Sequence, residues 1–347
     1  MTLHTVYHIT LNSKNNIFIN PYKNQTPMKY SFCGLSGLQL PQLSLGLWHN
    51  FGFNDDYEEA KKMVHFAFEK GITHFDLANN YGPPPGSAET NFGKIMKEGL
   101  ASHRDEMIVS SKAGYLMWEG PYGNGSSRKN LMASLNQSLK RTGLEYFDIF
   151  YSHRYDGVTP IEETMQALVD IVRQGKALYI GISNYPPAEA RQAMTYLRKQ
   201  QVPCLIFQGK YSMLYRNPEE ELFDVVKKEG AGFIGFSPLA QGILSDKYLN
   251  GIPAGSRAGN PDGFLKKEQI TEEVVSTVKQ LNLIAEKRNQ SLAQMALAWA
   301  LRKEVVTSLI VGTRSMQQLQ ENISTLNNLS FSDDELKQID LILDGEV

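Results

Sequence analysis

The chain has 347 residues, 41% hydrophobic and 21% charged, with a formal net charge of −2. That length allows a large core in one or two domains, and a near-neutral chain with no block of like charge argues against nucleic acid or an anionic membrane as partner. Cys33 and Cys204 are too few for a disulfide framework and fit a reducing cytoplasm, and no apolar run reaches the roughly 20 residues that span a bilayer.

Residues 1–27 read as an irregular N-terminal extension. Asn12, Ser13, Lys14, Asn15 and Asn16 interrupt anything resembling the apolar core of a signal peptide. From residue 28 to 347 nothing marks a second domain. Lys29–Phe32 and Leu38–Leu40, around Gly34 and Gly37, predict a β-hairpin. A repeated unit follows. Short apolar strands are expected at 43–46, 72–76, 107–111, 147–152, 177–182, 204–208, 232–236 and 307–311. Between them lie helical patterns at 56–70, 87–99, 127–143, 160–175, 187–200 and 219–229. The rhythm breaks at 239–271, a Gly- and Pro-containing loop, and helices are expected again at 272–289, 292–302, 316–327 and 333–343. The first seven strand ends, near 46, 76, 112, 152, 182, 208 and 237, lie 26 to 40 residues apart, the spacing of one strand–helix unit, and the eighth falls near 311 after the long loop interval. Eight such units predict an α/β fold: a (β/α)8 TIM barrel with an N-terminal β-hairpin, a long loop after strand seven and extra helices.

In such a barrel the chemistry sits where strands end at their C-terminal side. The second strand ends at Asp76, and Tyr81 follows in a Gly- and Pro-rich loop. The third strand ends at Lys112 and the fourth at His153. Each residue alone reads as an ordinary cap, surface lysine or loop histidine. Together they converge, because neighbouring strands lie under about 5 Å apart. A phenol of reference pKa ~10 is a poor acid near neutrality. A nearby ammonium lowers that value by stabilising phenolate, and a carboxylate holds the ammonium in place. His153 is suited to polarising a substrate oxygen. The sequence has no His-Glu-x-x-His or similar metal-ligand set, and no nucleophile stands at this mouth. An acid aimed at a carbonyl oxygen needs an external reductant, and a nicotinamide hydride meets that need.

Gly230-Ala-Gly232-Phe-Ile-Gly235 matches G-x-G-x-x-G, but it follows a helix and enters a strand. The dinucleotide fingerprint runs the other way, so close packing at a strand start explains these glycines better.

Asp76, Tyr81, Lys112 and His153, in that order, resemble the catalytic tetrad of the aldo-keto reductases. So do the runs GLWHNFG (46–52), FDLANNYGPPPGSAE (75–89), SLKRTGLEYFDIFYSHR (138–154), GKALYIGISNY (175–185) and SPLAQGILSDKYLNGIP (237–253). The resemblance covers roughly residues 29–345. It implies reduction of small aldehydes with NADP(H), with L-glyceraldehyde 3-phosphate and methylglyoxal as leading substrates. By the same resemblance Ser183, Asn184 and Gln208 hold the nicotinamide carboxamide, with Asp76 and Trp48 on the cofactor side, and Tyr211 stacks on the ring. Phe236, Ser237, Pro238, Leu239 and Gln241 wrap the pyrophosphate, helped by Lys247 and Arg257. Gly312, Arg314 and Gln318 form the adenosine 2′-phosphate site at a helix start, and Glu321 and Asn322 meet adenine. Many relatives carry a base where Gly312 and Gln318 stand, so Arg314 is the candidate for the missing charge. Trp48, Tyr81, Trp118 and His153 are expected around the substrate, and Arg154 and Arg128 near its phosphate. The chain is also similar, less closely, to the β subunits of voltage-gated potassium channels. That similarity leaves open an NADP(H)-binding, redox-sensing regulatory subunit with little turnover. A homo-oligomer is compatible with the pattern, since nothing marks or excludes a second apolar face.

Overall fold

Strands β1 (Tyr30–Phe32) and β2 (Gln39–Pro41) pair antiparallel in the expected hairpin. Its turn carries Gly34 at φ +53°, packed so tightly on Gly230 that a Cβ would meet the Gly230 carbonyl oxygen at 2.2 Å. The computed structural model describes residues 28–249, 251–253, 257–259 and 265–345, and the 1–27 extension lies outside them.

Eight parallel strands then close into a barrel: β3 (Leu43–Gly46), β4 (His74–Asp76), β5 (Ile108–Ala113), β6 (Phe147–Ser152), β7 (Ala177–Ser183), β8 (Ile206–Lys210), β9 (Gly232–Phe236) and β10 (Val306–Val311). Each pairs with its sequence neighbour, and β10 returns to pair with β3. These strands are buried on both faces, which explains their near-continuous apolar runs. The hairpin plugs the N-terminal end: Cys33 and Leu40 are fully buried against Ile149, Tyr151, Ile206 and Ile234. Gly232 packs against this plug, with a Cβ placed 3.2 Å from the Cys33 Cα, and Gly235 faces Leu309. The G-x-G-x-x-G run is therefore a packing device.

The helices cover the outside: α1 (Tyr57–Glu69), α2 (Ser87–Ile95), α3 (Arg128–Thr142), α4 (Ile161–Arg173), α5 (Pro187–Lys199), α6 (Leu222–Lys228), α7 (Glu272–Lys287), α8 (Leu292–Leu301), α9 (Met316–Ile323) and α10 (Asp333–Leu343). Their ends follow local chemistry. Asp56, Ser127, Thr271, Ser291, Ser315 and Ser332 accept hydrogen bonds from otherwise orphaned N–H groups of the first turns. Gly143 ends α3 at φ +71°. Along α4, Ile161, Thr164, Met165, Leu168 and Ile171 recur at helical spacing and are buried on one face. By contrast α8 is apolar nearly all round, because it packs between β10 on one side and α7 on the other.

Some boundaries differ from expectation. The helix expected over 87–99 stops at Ile95 and continues as distorted turns through Glu106, with Gly99 extended at φ 168°. The helix expected from residue 219 starts at Leu222, because Pro218 sits in a separate short turn and the Glu219 carboxylate is held by Tyr211 and Arg302. α9 ends at Ile323 and gives way to a tighter turn over Ser324–Asn327.

Candidate active site

The register of three strands brings Asp76, Lys112 and His153 to one end of the barrel, with Tyr81 in the loop beside them. Asp76 pairs across to Ser110, and Lys112 lies two residues further along β5 on the same inward face. The Lys112 side chain is 0% exposed. Its ammonium donates to Asp76 Oδ2 at 2.7 Å, to the Leu77 carbonyl at 2.6 Å and to the Tyr81 hydroxyl at 3.3 Å. An ammonium has three hydrogens and no acceptor, so these partners satisfy it completely. The other carboxylate oxygen of Asp76 accepts from Ser110 Oγ at 2.9 Å and from Gln208 Nε2 at 3.0 Å.

Tyr81 is held by its own loop. Its N–H donates to the Ala78 carbonyl, and its carbonyl accepts from the N–H groups of Gly86 and Ala88. The loop after β3 supports it from the side. Phe53 N–H donates to the Pro83 carbonyl, and Asn91 donates to the carbonyls of Phe51 and Gly52. A Cβ on Gly52 would lie 2.4 Å from that Pro83 oxygen. The Tyr81 ring sits 6.1 Å from Trp48 and 6.0 Å from His153, centre to centre.

Burial governs the titration of these groups. Desolvation raises the Tyr81 phenol well above its usual 10, reinforced by the charge of Asp76 and by Tyr115. The expected lowering by Lys112 is therefore overridden in the resting site, and the phenol keeps its proton. Burial lowers Lys112, opposed by Asp76. Burial, then the charges of Lys112 and Arg154, drives His153 well below the ordinary histidine value, so its imidazole is neutral. His153 Nδ1 is buried without a hydrogen-bond partner among the described residues.

These groups open onto a cavity of about 690 Å³, a size typical of ligand sites, about 300–1,000 Å³. Its wall near the tetrad is Trp48, His49, Asn80, Tyr81, Tyr115 and His153. Further along it comprises Gln208, Phe236, Ser237, Pro238, Leu239, Gln241, Lys247, Gly312, Arg314 and Gln318. Ser237, Ala240 and Gln241 take left-handed backbone with φ of 53°, 46° and 59°, strain that collects at ligand clamps. Two cations, an aromatic ring, amide side chains and a strained strap make a donor set suited to an extended dinucleotide with phosphates.

Other expected positions fall elsewhere. Tyr211 does not line the cavity. It is fully buried among Phe223, Phe233 and Trp299, with its hydroxyl on Glu219 and Arg302. Phe236, one step before Ser237-Pro238, is the ring that does line it. Trp118 is absent from the wall, and Tyr115 stands there, 4.7 Å from the His153 ring. Arg128 is taken up by Asp170 on the outer helices. Arg154 is tied to the Gly114 carbonyl and Asn124 behind Tyr115. Ser183 and Asn184 lie beside the tetrad rather than in the wall, with Asn184 donating to the His153 carbonyl. Glu321 and Asn322 sit on α9 outside the wall, and the Arg257 side chain lies outside the described residues. Sequence reasoning missed Ser110, Tyr115 and His49. Ser110 carried a signal, being two residues before Lys112 and so on the same strand face.

The sequence profile of the Aldo/keto reductase family matches residues 42–344. The L-glyceraldehyde 3-phosphate reductases of Escherichia coli O157:H7 and of strain K12 are each 54% identical over 325 residues, covering 92% of this chain and 94% of each relative. The chain belongs to the aldo/keto reductase family and is an NADP(H)-dependent oxidoreductase.

Proposed function

We propose that this chain, with residues 28–347 as its catalytic unit, reduces L-glyceraldehyde 3-phosphate and other small aldehydes such as methylglyoxal, with Tyr81 as the proton donor. The observation that carries this reading is the Lys112 ammonium seated between Asp76 and the Tyr81 hydroxyl. The substrate name comes from the two relatives.

Bound NADPH supplies the hydride, and the protein's own groups manage the proton and the fit. Because Lys112 can only donate, the Tyr81 oxygen must accept from it, which leaves the phenol hydrogen free for a carbonyl oxygen in the cavity. As that proton leaves, negative charge develops beside the ammonium, and the low dielectric of the buried site strengthens their attraction. Lys112 thus acts on the reaction rather than on the resting phenol. Neutral His153 donates to the same oxygen and polarises it. Trp48 and Tyr115 wall off water and favour short substrates.

Phe236 replaces Tyr211 as the ring against the nicotinamide, and Gln208, Ser183 and Asn184 serve its carboxamide. The 236–241 strap with Lys247 and Arg257 serves the pyrophosphate. Gly312, Arg314 and Gln318 serve the adenosine phosphate, with Glu321 and Asn322 toward adenine. The free, buried cysteines support a cytoplasmic setting, and exposed Phe32, Leu35 and Val158 are compatible with a homo-oligomer. Among the described residues no helix is long and apolar enough to cross a membrane.

The test is NADPH oxidation with a panel of short aldehydes. Wild-type turnover and a loss of at least about 100-fold in Tyr81→Phe are expected. Equal rates would remove Tyr81 from the acid role. Tight NADP(H) binding with no turnover of any aldehyde would instead favour a redox-sensing subunit.

A further inference from the structure

Below the tetrad, the inner layer of the barrel is polar where branched apolar side chains usually fill it. Ser308 on β10, Ser44 on β3, His74 on β4 and Ser110 on β5 occupy four adjacent strands, and all four are 0% exposed. Their contacts are continuous: Ser308 Oγ to Ser44 Oγ at 2.7 Å, Ser44 Oγ to His74 Nδ1 at 2.9 Å, and His74 Nε2 to Ser110 Oγ at 3.0 Å. The chain ends on Asp76 Oδ1 at 2.9 Å.

The carboxylate fixes the direction of every bond. Asp76 can only accept, so Ser110 spends its one hydrogen there. The His74 contact with Ser110 must then be donated by Nε2–H. A neutral imidazole has one N–H, so Nδ1 is bare and accepts from Ser44, and Ser44 in turn accepts from Ser308. The charged groups near His74 are Asp76 and Lys112, and burial outweighs the carboxylate to lower its pKa to about 4. The strands flanking β4 present only the hydroxyls of Ser44 and Ser110 to its ring nitrogens.

We infer that His74 is a positioning residue: as the neutral Nε2–H tautomer it holds the Ser110 hydroxyl on Asp76 Oδ1, so that Asp76 Oδ2 stays aimed at Lys112. This rests on the reading of Asp76, Lys112 and Tyr81 given above. With Ser110 and Gln208 on one oxygen and Lys112 on the other, the carboxylate cannot turn without breaking charge-assisted hydrogen bonds. If Ser110 is released, Asp76 gains freedom to rotate, and the ammonium moves relative to Tyr81. Loss of precise placement lowers the rate of the chemical step more than it weakens binding.

The first measurement needs no activity. In the full-length protein with 15N-labelled histidine, the His74 resonances, identified by their loss in His74→Gln, should report a bare Nδ1 and a protonated Nε2. They should not change from about pH 5.5 to about pH 8.5. An Nδ1–H tautomer, or titration near the ordinary histidine value, overturns the inference. The second measurement is kinetic. Ser110→Ala and His74→Phe should lower kcat about tenfold, with KM for aldehyde and Kd for NADPH within about twofold of wild type. His74→Gln, which keeps a donor and an acceptor, should recover most of the rate. Wild-type kcat in Ser110→Ala, alongside an inactive Tyr81→Phe, overturns the inference and leaves the active-site reading standing. An active Tyr81→Phe removes that reading itself. Should His74→Phe not fold, Ser110→Ala and the wild-type tautomer decide.

Discussion

Lys112 is a cation with no route to solvent, and burying a charge costs several kcal/mol unless partners offset it. All three of its hydrogens are used, so the stem fills core space and the head serves the site from behind. It does not line the cavity. Lys112→Met is therefore expected to lower kcat at least about 100-fold while the Kd for NADPH, followed by fluorescence titration, changes by less than about twofold. A parallel loss of cofactor affinity would assign Lys112 to binding instead. The grouping of these four residues was legible in the sequence because Asp76, Lys112 and His153 lie at the ends of successive strands and Tyr81 in the loop after the first of them, and strand ends can be located from apolar runs and following loops. Titration behaviour was not legible, because desolvation depends on what covers a side chain. Tyr211 and Phe236 show the same limit. Tyr211 directly follows β8 and Phe236 ends β9, and only packing reveals that Tyr211 turns outward into the Phe223–Phe233–Trp299 cluster while Phe236 faces the cavity.

The elements that carry the site lean on one another. The loop after β3 meets the loop after β4 without space for a methyl group between Gly52 and the Pro83 oxygen. Gly52→Ala is expected to displace the Tyr81 loop and lower kcat about tenfold, with NADPH binding preserved because the strap and α9 are untouched. Unchanged kcat would show that the two loops move independently. Regular elements were readable from capping residues and periodicity, and Ser127, Gly143 and Ser332 mark observed ends. The errors fell where tertiary contacts override local preference. Gly99 leaves helical geometry, and Glu219, a reasonable helix starter by composition, is instead held by Tyr211 and Arg302. Trp118 and Arg128, expected at the pocket and near a substrate phosphate, lie on the irregular segment after β5, and no spacing rule says which side chain of such a loop turns inward.

At the scale of the whole molecule, buried neutral histidines tie stability to acidity. His74 is lowered to about 4 and His153 is lowered well below 6.5, both chiefly by burial. Below the ordinary histidine value the unfolded chain takes up these two protons and the folded chain does not. Stability is therefore expected to fall as pH drops from about 6.5 toward about 4, by about 1.4 kcal/mol per pH unit for each buried imidazole. Urea midpoints measured across that range check this, and His74→Gln should flatten the slope, whereas a slope unchanged by His74→Gln would mean that His74 titrates normally. The eight-stranded architecture was legible from the alternation of apolar strands with helical patterns. The role of the hairpin as a plug was not, because it depends on which end of the barrel the first strands fold beneath. That plug has a kinetic consequence. With Cys33 and Leu40 packed beneath one end, and with Tyr81, His153, Lys247 and Arg314 lining one cavity at the other, the proposed site sends both reactants through one doorway. On that proposal the alcohol and the spent nucleotide leave by the path their precursors took, which makes turnover a matter of traffic order as much as of chemistry.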